Sequence, residues 1–204
     1  MNGLDAVLER SRELGFLGPG PVARHVEHAR GFAGGVDAPP ERFLDLGSGG
    51  GVPGLVLGAL WPDAEVTLLD AGERRCVFLS EAVDELGWSA RARVVRARAE
   101  EAGHLPDLRG RFDLVVARAF GAPAVTAECG APFLRMGGRL VVSEPPADAE
   151  RHSPRWPESG IARLGLAPLR EWREPFHYQA FVLERPSPEL YPRRVGVPAK
   201  RPLF

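Results

Sequence analysis

Apolar residues repeat along this chain at two periods, and the change of period divides it. Residues 3–14, GLDAVLERSREL, place Leu4, Val7, Leu8 and Leu14 at helical spacing, with Gly15 as a stop. Residues 20–33 predict a second helix, with Pro21 in its first turn and Val22, Val26 and Ala29 on one side. The linker GGVDAPPE follows. From Arg42 onward, five runs rich in Val and Leu read as strands: RFLDL, EVTLLD, RARVVRA, FDLVVAR and GRLVVSE. Helical stretches at 54–60, 73–87 and 122–135 lie between them. This alternation predicts an α/β fold, a mostly parallel sheet with helices on both faces. Near the end, APLREWRE and FHYQAFVLER, with only a Pro-Phe turn between, predict an antiparallel hairpin closing the sheet edge. The chain then divides into an N-terminal helical cap (1–36), a sheet domain (41–185) and a Pro- and Arg-rich tail (186–204), one structural domain overall.

Composition narrows the class. A chain of 204 residues, 44% hydrophobic and 26% charged, can bury a core of its own, which excludes a disordered, collagenous or disulfide-framed protein. Cys76 and Cys129 are too few for a disulfide framework and lack metal spacing, as expected of a reducing cytoplasm. The first residues contain no apolar segment of signal-peptide type, and the longest apolar stretch, Val52 to Trp61, is half a membrane span and holds Pro53; no membrane partner is expected. The net charge of -1 hides an asymmetry. Residues 151–204 hold 10 basic and 5 acidic residues, so a basic C-terminal quarter sits on an acidic body, which permits a polyanionic partner.

The most informative segment is Asp45-Leu46-Gly47-Ser48-Gly49-Gly50-Gly51-Val52-Pro53-Gly54, between the first strand and a helix. Open α/β sheets bind nucleotide-like ligands there, outside the carboxyl end of the first strand. Gly47 and Gly49 let the backbone approach a ligand, and Pro53 suits a first helical turn. Asp70 ends the second strand, where a carboxylate can accept both hydroxyls of a ribose. The glycine spacing is G-x-G-x-G, not the dinucleotide G-x-G-x-x-G, and no Lys-Ser/Thr pair follows as in a P-loop. Asp-x-Gly-x-Gly with an acid ending strand two resembles the class I S-adenosylmethionine (AdoMet) methyltransferases, whose Rossmann-like fold has the sheet predicted here. That resemblance implies an AdoMet site including Asp45, Gly47, Ser48, Gly49 and Asp70, and puts Ala99 and Glu100, after the third strand, beside the adenine.

Two further segments make the resemblance specific. Phe112-Asp-Leu-Val-Val-Ala-Arg-Ala-Phe120 and Tyr191-Pro-Arg-Arg-Val-Gly-Val-Pro-Ala-Lys-Arg-Pro-Leu203, taken with the glycine loop, resemble the RsmG (GidB) family from about Gly15 to Leu203. Gly18, Pro19 and His28 also echo it. Its members methylate N7 of a guanine in 16S rRNA of the bacterial small ribosomal subunit. The resemblance implies cofactor contacts at Gly47, Val52, Ala99, Glu100 and Arg118, with Asp70 at the ribose, and Arg193, Arg194, Lys200 and Arg201 facing RNA phosphates. Arg118 and His28 are the candidates for positioning substrate or cofactor. Guanine N7 has a free lone pair, so the implied reaction is in-line displacement that needs alignment rather than a general base, with S-adenosyl-L-homocysteine as product. No metal is assigned: His25, His28, His104, His152 and His177 are scattered, none beside a cysteine at metal spacing. A cytoplasmic monomer is expected.

Glu27-His28 stands where many members carry Arg-His in the second helix, and Ser143-Glu144 where many carry a lysine after strand five. Each puts an acid where a base is usual, which keeps a small-molecule methyltransferase as the alternative. Glu144-Pro145-Pro146 also invites comparison with the Asn/Asp-Pro-Pro-aromatic turn of amino methyltransferases. That turn follows strand four, whereas this one follows strand five and lacks the aromatic.

Overall fold

The two N-terminal helical stretches fold as α1 (Gly3–Glu13) and α2 (Val22–Arg30) in this computed structural model, which describes residues 3–145 and 154–204. Pro146 and His152 lie outside the described residues. Val7 and Leu8 of α1 are fully buried. Leu14 is exposed, because α1 ends at Glu13 and Gly15 turns the chain with φ +73°. Helix α2 stops at Arg30 and tightens into a 3₁₀ turn over Gly31–Gly35, glycines that lower helix propensity. Its buried side chains are Val22, His25 and Ala29.

The sheet domain runs β1 (Arg42–Leu46), α3 (Gly54–Leu60), β2 (Glu65–Asp70), α4 (Glu73–Glu85), β3 (Ala92–Arg96), α5 (Ala99–Ala102) and β4 (Phe112–Ala117). It continues through α6 (Pro123–Gly130), β5 (Leu134–Ser143), α7 (Glu158–Ala162), β6 (Leu166–Trp172) and β7 (Tyr178–Leu183), and α8 (Val197–Lys200) closes the chain. The strand order is β3-β2-β1-β4-β5-β7-β6. The first five strands are parallel, and β7 runs antiparallel between β5 and β6, so the hairpin forms the sheet edge. The order reverses between β1 and β4, which opens a crevice at their carboxyl ends.

Two boundaries differ from the sequence reading. Helix α6 ends at Gly130, short of residue 135, because Pro132 cannot supply the amide a helix would need; β5 already begins at Leu134, paired with Phe112, and resumes its register past Gly137. Pro53 precedes α3 as its cap residue after a cis Val52-Pro53 bond, rather than entering the first turn.

The alternation of the strands sets the two cores. Phe43, Leu114 and Val116 point to one face, where Phe32 and the Phe78, Leu79 and Val83 stripe of α4 cover them. Leu44, Leu46, Val115 and Ala117 point to the other, beneath α5, α6 and α7. Each fully buried Phe or Leu contributes about 1.5–3 kcal/mol. The same alternation puts Asp45 on the Phe43 face, as a carboxylate inside the core.

Candidate active site

The glycine loop is held from three sides. Gly47 and Ser48 donate their amides to the Leu69 carbonyl at the end of β2, at 2.8 and 2.9 Å. Ser11 of α1 donates its hydroxyl to the Gly50 carbonyl at 2.8 Å. From inside, Asp45 accepts the Gly54 amide at 2.9 Å, while its other oxygen is buried without a partner. Burial pushes this carboxyl up to about 7. The Ser48 hydroxyl is turned back onto the Asp45 carbonyl at 3.0 Å, so Ser48 offers its backbone to the crevice. A Cβ on Gly54 would lie 2.5 Å from both Asp45 Oδ2 and Leu68. Gly54→Ala is therefore expected to dislodge the Asp45 anchor, at a cost of about 1–3 kcal/mol, with the loop's ligand affinity falling alongside. Calorimetry of unfolding and of binding would read the two losses.

Asp70 closes the loop's second side. It is buried and accepts the Gly49 amide at 2.9 Å, the Gly72 amide at 2.7 Å and Arg75 Nε at 2.9 Å. Two of those donors are fixed backbone. Arg75 is half-exposed and is the one a ligand hydroxyl could displace.

Two cavities open at the carboxyl edge and share a wall made of Arg118, Ala119 and Phe120. The first, about 440 Å³, lies over the glycine loop and Asp70, with Val52, Arg75, Arg98 and the Phe16-Leu17-Gly18 segment around it. The second, about 340 Å³, lies between the ends of β4 and β5 and is lined by His28, Thr126, Val142, Glu144 and Trp156. Ala119 is the one described non-glycine residue with positive φ, +52°, a backbone strain that turns Phe120 back across the loop. A Cβ on Gly47 would lie 2.7 Å from the Phe120 ring. Arg118 is held by a bond of 2.6 Å from Nη2 to His25 Nδ1, and its Nη1 is buried without a partner. Burial lowers the Arg118 pKa.

Of the sequence-predicted cofactor residues, Gly47, Ser48, Gly49, Val52, Asp70 and Arg118 come together around the first cavity, and Asp45 lies beneath it. Ala99 and Glu100 do not line it. Ala99 is buried in the core, and Glu100 accepts the Gly196 amide at 3.0 Å, which ties the tail to α5. Arg75, Arg98 and Phe120 were missed. Arg75 carries a local signal, a cation five residues after an expected ligand carboxylate on the next helix. His28 packs among Phe32, Phe176 and Tyr178, with ring centroids 4.7–5.9 Å away. Burial, reinforced by Arg118 and His25, pushes it down to about 4, so it faces the second cavity as a neutral imidazole.

The tail arginines separate by role. Arg193 is spent on Glu128, a fully buried carboxylate that takes its backbone amide, Nε and Nη2 at 2.9, 2.8 and 2.6 Å. Its donors are thus turned away from the phosphate-facing role expected of it, whereas Arg194, Lys200 and Arg201 have exposed side chains with no ion-pair partner among the described residues. Both acidic departures also read differently in three dimensions. Glu144 is almost fully buried, paired with Arg155 and bonded by Trp156 Nε1 at 2.8 Å, so its charge is compensated inside the protein. Glu27 is exposed in a separate groove, and α2 does carry an Arg-His pair one turn earlier, Arg24-His25.

Comparison with known proteins gives the family. Residues 23–150 match the family model described as rRNA small subunit methyltransferase G. A protein of that name from Symbiobacterium thermophilum is 36% identical over 98% of this chain and 87% of its own length. Another, from Rubrobacter xylanophilus, is 38% identical over 79% of this chain and 65% of its own length. Among solved structures, a protein of Klebsiella pneumoniae proposed to be an O-methyltransferase superposes with a TM-score of 0.64 at 15% identity, covering 91% of each chain. The [4+2]-cyclase SpnF superposes at 0.57 with 20% identity over 72% of this chain and 58% of its own. These structures carry the fold alone; a cyclase among them shows that the same sheet serves different chemistries.

Proposed function

This chain belongs to the rRNA small subunit methyltransferase G family, and from that membership we propose that it transfers the methyl group of AdoMet to N7 of a guanine in 16S rRNA. The observation that carries the reading is the pair of cavities with a common wall at Arg118-Ala119-Phe120, one over the glycine loop and one beyond it.

The residues of the first cavity fit the cofactor. A Cβ on Gly49 would meet only the Gly47 carbonyl oxygen, at 3.7 Å. Asp70, once Arg75 swings aside, has lone pairs for vicinal hydroxyls. The unpartnered Nη1 of Arg118 and the nearby Arg98 suit a carboxylate. Phe120, Leu17 and Val52 give apolar contact. AdoMet would supply an electrophilic methyl on a sulfonium. The protein's part is alignment: Phe120 and Ala119 border both cavities, and neutral His28 and Trp156 flank the second one. A guanine N7 brought there already holds its lone pair, so no side chain has to remove a proton.

RNA affinity would come from the exposed tail cations. The tail reaches the carboxyl edge through the Gly196–Glu100 bond at the first turn of α5. Arg194→Ala with Lys200→Ala is expected to flatten the salt dependence of rRNA binding by about 0.7 log unit for each phosphate no longer neutralised, read as the slope of log K against log salt. On this reading the protein works in the cytoplasm on the small subunit or its rRNA. The direct test is methyl transfer from labelled AdoMet to 30S subunits and extracted rRNA from cells lacking the mark. Labelled 7-methylguanosine by nucleoside mass spectrometry is the expected product. Its absence, with AdoMet binding intact, would overturn the rRNA reading in favour of a small-molecule acceptor.

A further inference from the structure

His25 has no role in the reaction as described so far, yet it is the one described side chain that grips Arg118. It is a buried histidine of α2. Its Nε2 lies 3.0 Å from the Gly18 carbonyl, which can only accept, so Nε2 carries the hydrogen. That leaves Nδ1 bare, and Nδ1 is the atom that receives Arg118 Nη2 at 2.6 Å. The partners therefore select one tautomer of a neutral ring. We propose that His25 is the positioning residue for Arg118: anchored by Gly18, it aims the guanidinium along the wall between the two cavities and leaves Nη1 for the ligand. The inference rests on reading the glycine-loop cavity as the AdoMet site.

The choice of a neutral acceptor has a chemical reason. A carboxylate in its place would neutralise Arg118 and hold its donors against any ligand. An uncharged imidazole fixes the direction of the guanidinium and leaves its whole charge available. It also makes the arrangement acid-sensitive. Protonated His25 would lose its acceptor and set a like charge against Arg118. The groups facing His25 are Arg118 at the end of β4, the Gly18 carbonyl after α1, and Arg24 and His28 on α2. Burial and these cations hold its pKa below the ordinary value, so the arrangement persists through neutral pH.

Nitrogen-15 NMR of histidine-labelled protein without cofactor tests the contact itself. The expected spectrum shows His25 neutral at pH 7, protonated on Nε2 and accepting on Nδ1, and Arg118→Ala raises its pKa. The opposite tautomer, or an imidazolium at pH 7, would overturn the proposal. AdoMet titrations test the consequence. His25→Ala is expected to weaken binding about 10–100-fold, and His25→Asn, whose carboxamide oxygen can accept where Nδ1 does, to restore it to within a few-fold. The ratio of wild-type to His25→Asn affinity should be flat above pH 7 and fall in acid, where only the wild type loses its acceptor; titration of Asp45 and His28 is common to both proteins and cancels. Equal defects in both variants at matched melting temperature, or a flat ratio throughout, would reduce His25 to a packing residue. A wild type with the expected spectrum but no affinity for AdoMet would remove the site reading, and this inference with it.

Discussion

Arg118→Ala is expected to lower methyl transfer about 100-fold or more while moving the melting temperature little. The guanidinium borders both cavities and holds one unpartnered buried N–H group, so its removal takes away a charge-assisted hydrogen bond from a buried donor. Such a bond contributes about 1.5–3 kcal/mol, and loss of one aligned donor commonly costs about 10²–10³ in rate. Stability responds less for a specific reason. The carboxylate nearest in charge to Arg118 is Asp45, which burial already pushes up to about 7; without the cation it can take up a proton instead of remaining as a buried anion. His25 would keep its bond to Gly18. Arg118→Lys is expected to recover little, since an ammonium cannot bond His25 Nδ1 and reach the cavity with the geometry of a planar fork. Single-turnover transfer with calorimetry of unfolding would separate these effects. An active Arg118→Ala variant would move the chemistry away from this wall.

The parts of this site that follow from local spacing were legible. A Val- and Leu-rich run, a glycine turn and a helix start follow one another without a break, and their order alone puts Gly47, Gly49 and Asp70 at the carboxyl edge of the sheet. The antiparallel hairpin was legible for the same reason, from two strands joined by a short turn. What was hidden is the pairing of charges across long separations. In a chain whose only lysine is Lys200, the arginines look alike. Nothing near Arg193 says that a buried Glu128, 65 positions away, claims it. Nothing near Glu144 announces that Arg155 and Trp156 will enclose it. Histidines present the same problem at short range. His25 and His28 lie on neighbouring faces of α2, and only the approach of Arg118, 93 positions on, separates the histidine that aims a cation from the one that packs among aromatics.

Arg193→Ala is expected to destabilise the fold by about 3 kcal/mol, a fall of roughly 6–12 °C in melting temperature for a chain of this size, without changing the salt slope of rRNA binding. Glu128 lies fully buried in α6, and three of its hydrogen bonds come from Arg193. Deleting the side chain leaves a carboxylate in the core with the backbone amide alone, and breaking a buried pair commonly costs about 3–5 kcal/mol; partial exposure of Arg193 admits water and moves the value to the lower end. The double variant Glu128→Gln with Arg193→Met should fare better than Arg193→Ala although it carries one more change, because the amide oxygen of the glutamine still accepts the residue 193 amide and no charge is left unpaired. The same pair of proteins decides what the tail arginine is for. A phosphate ligand would show equal losses of RNA affinity in both, with a shallower salt slope and little change in melting. A structural tie would show the single variant melting early, the double variant recovering, and both keeping the wild-type slope. The second pattern is expected, since a guanidinium that already satisfies a buried carboxylate and donates to the Arg201 carbonyl at 2.7 Å has its donors turned inward. It would leave the recognition of RNA to the exposed cations that Arg193 holds in place.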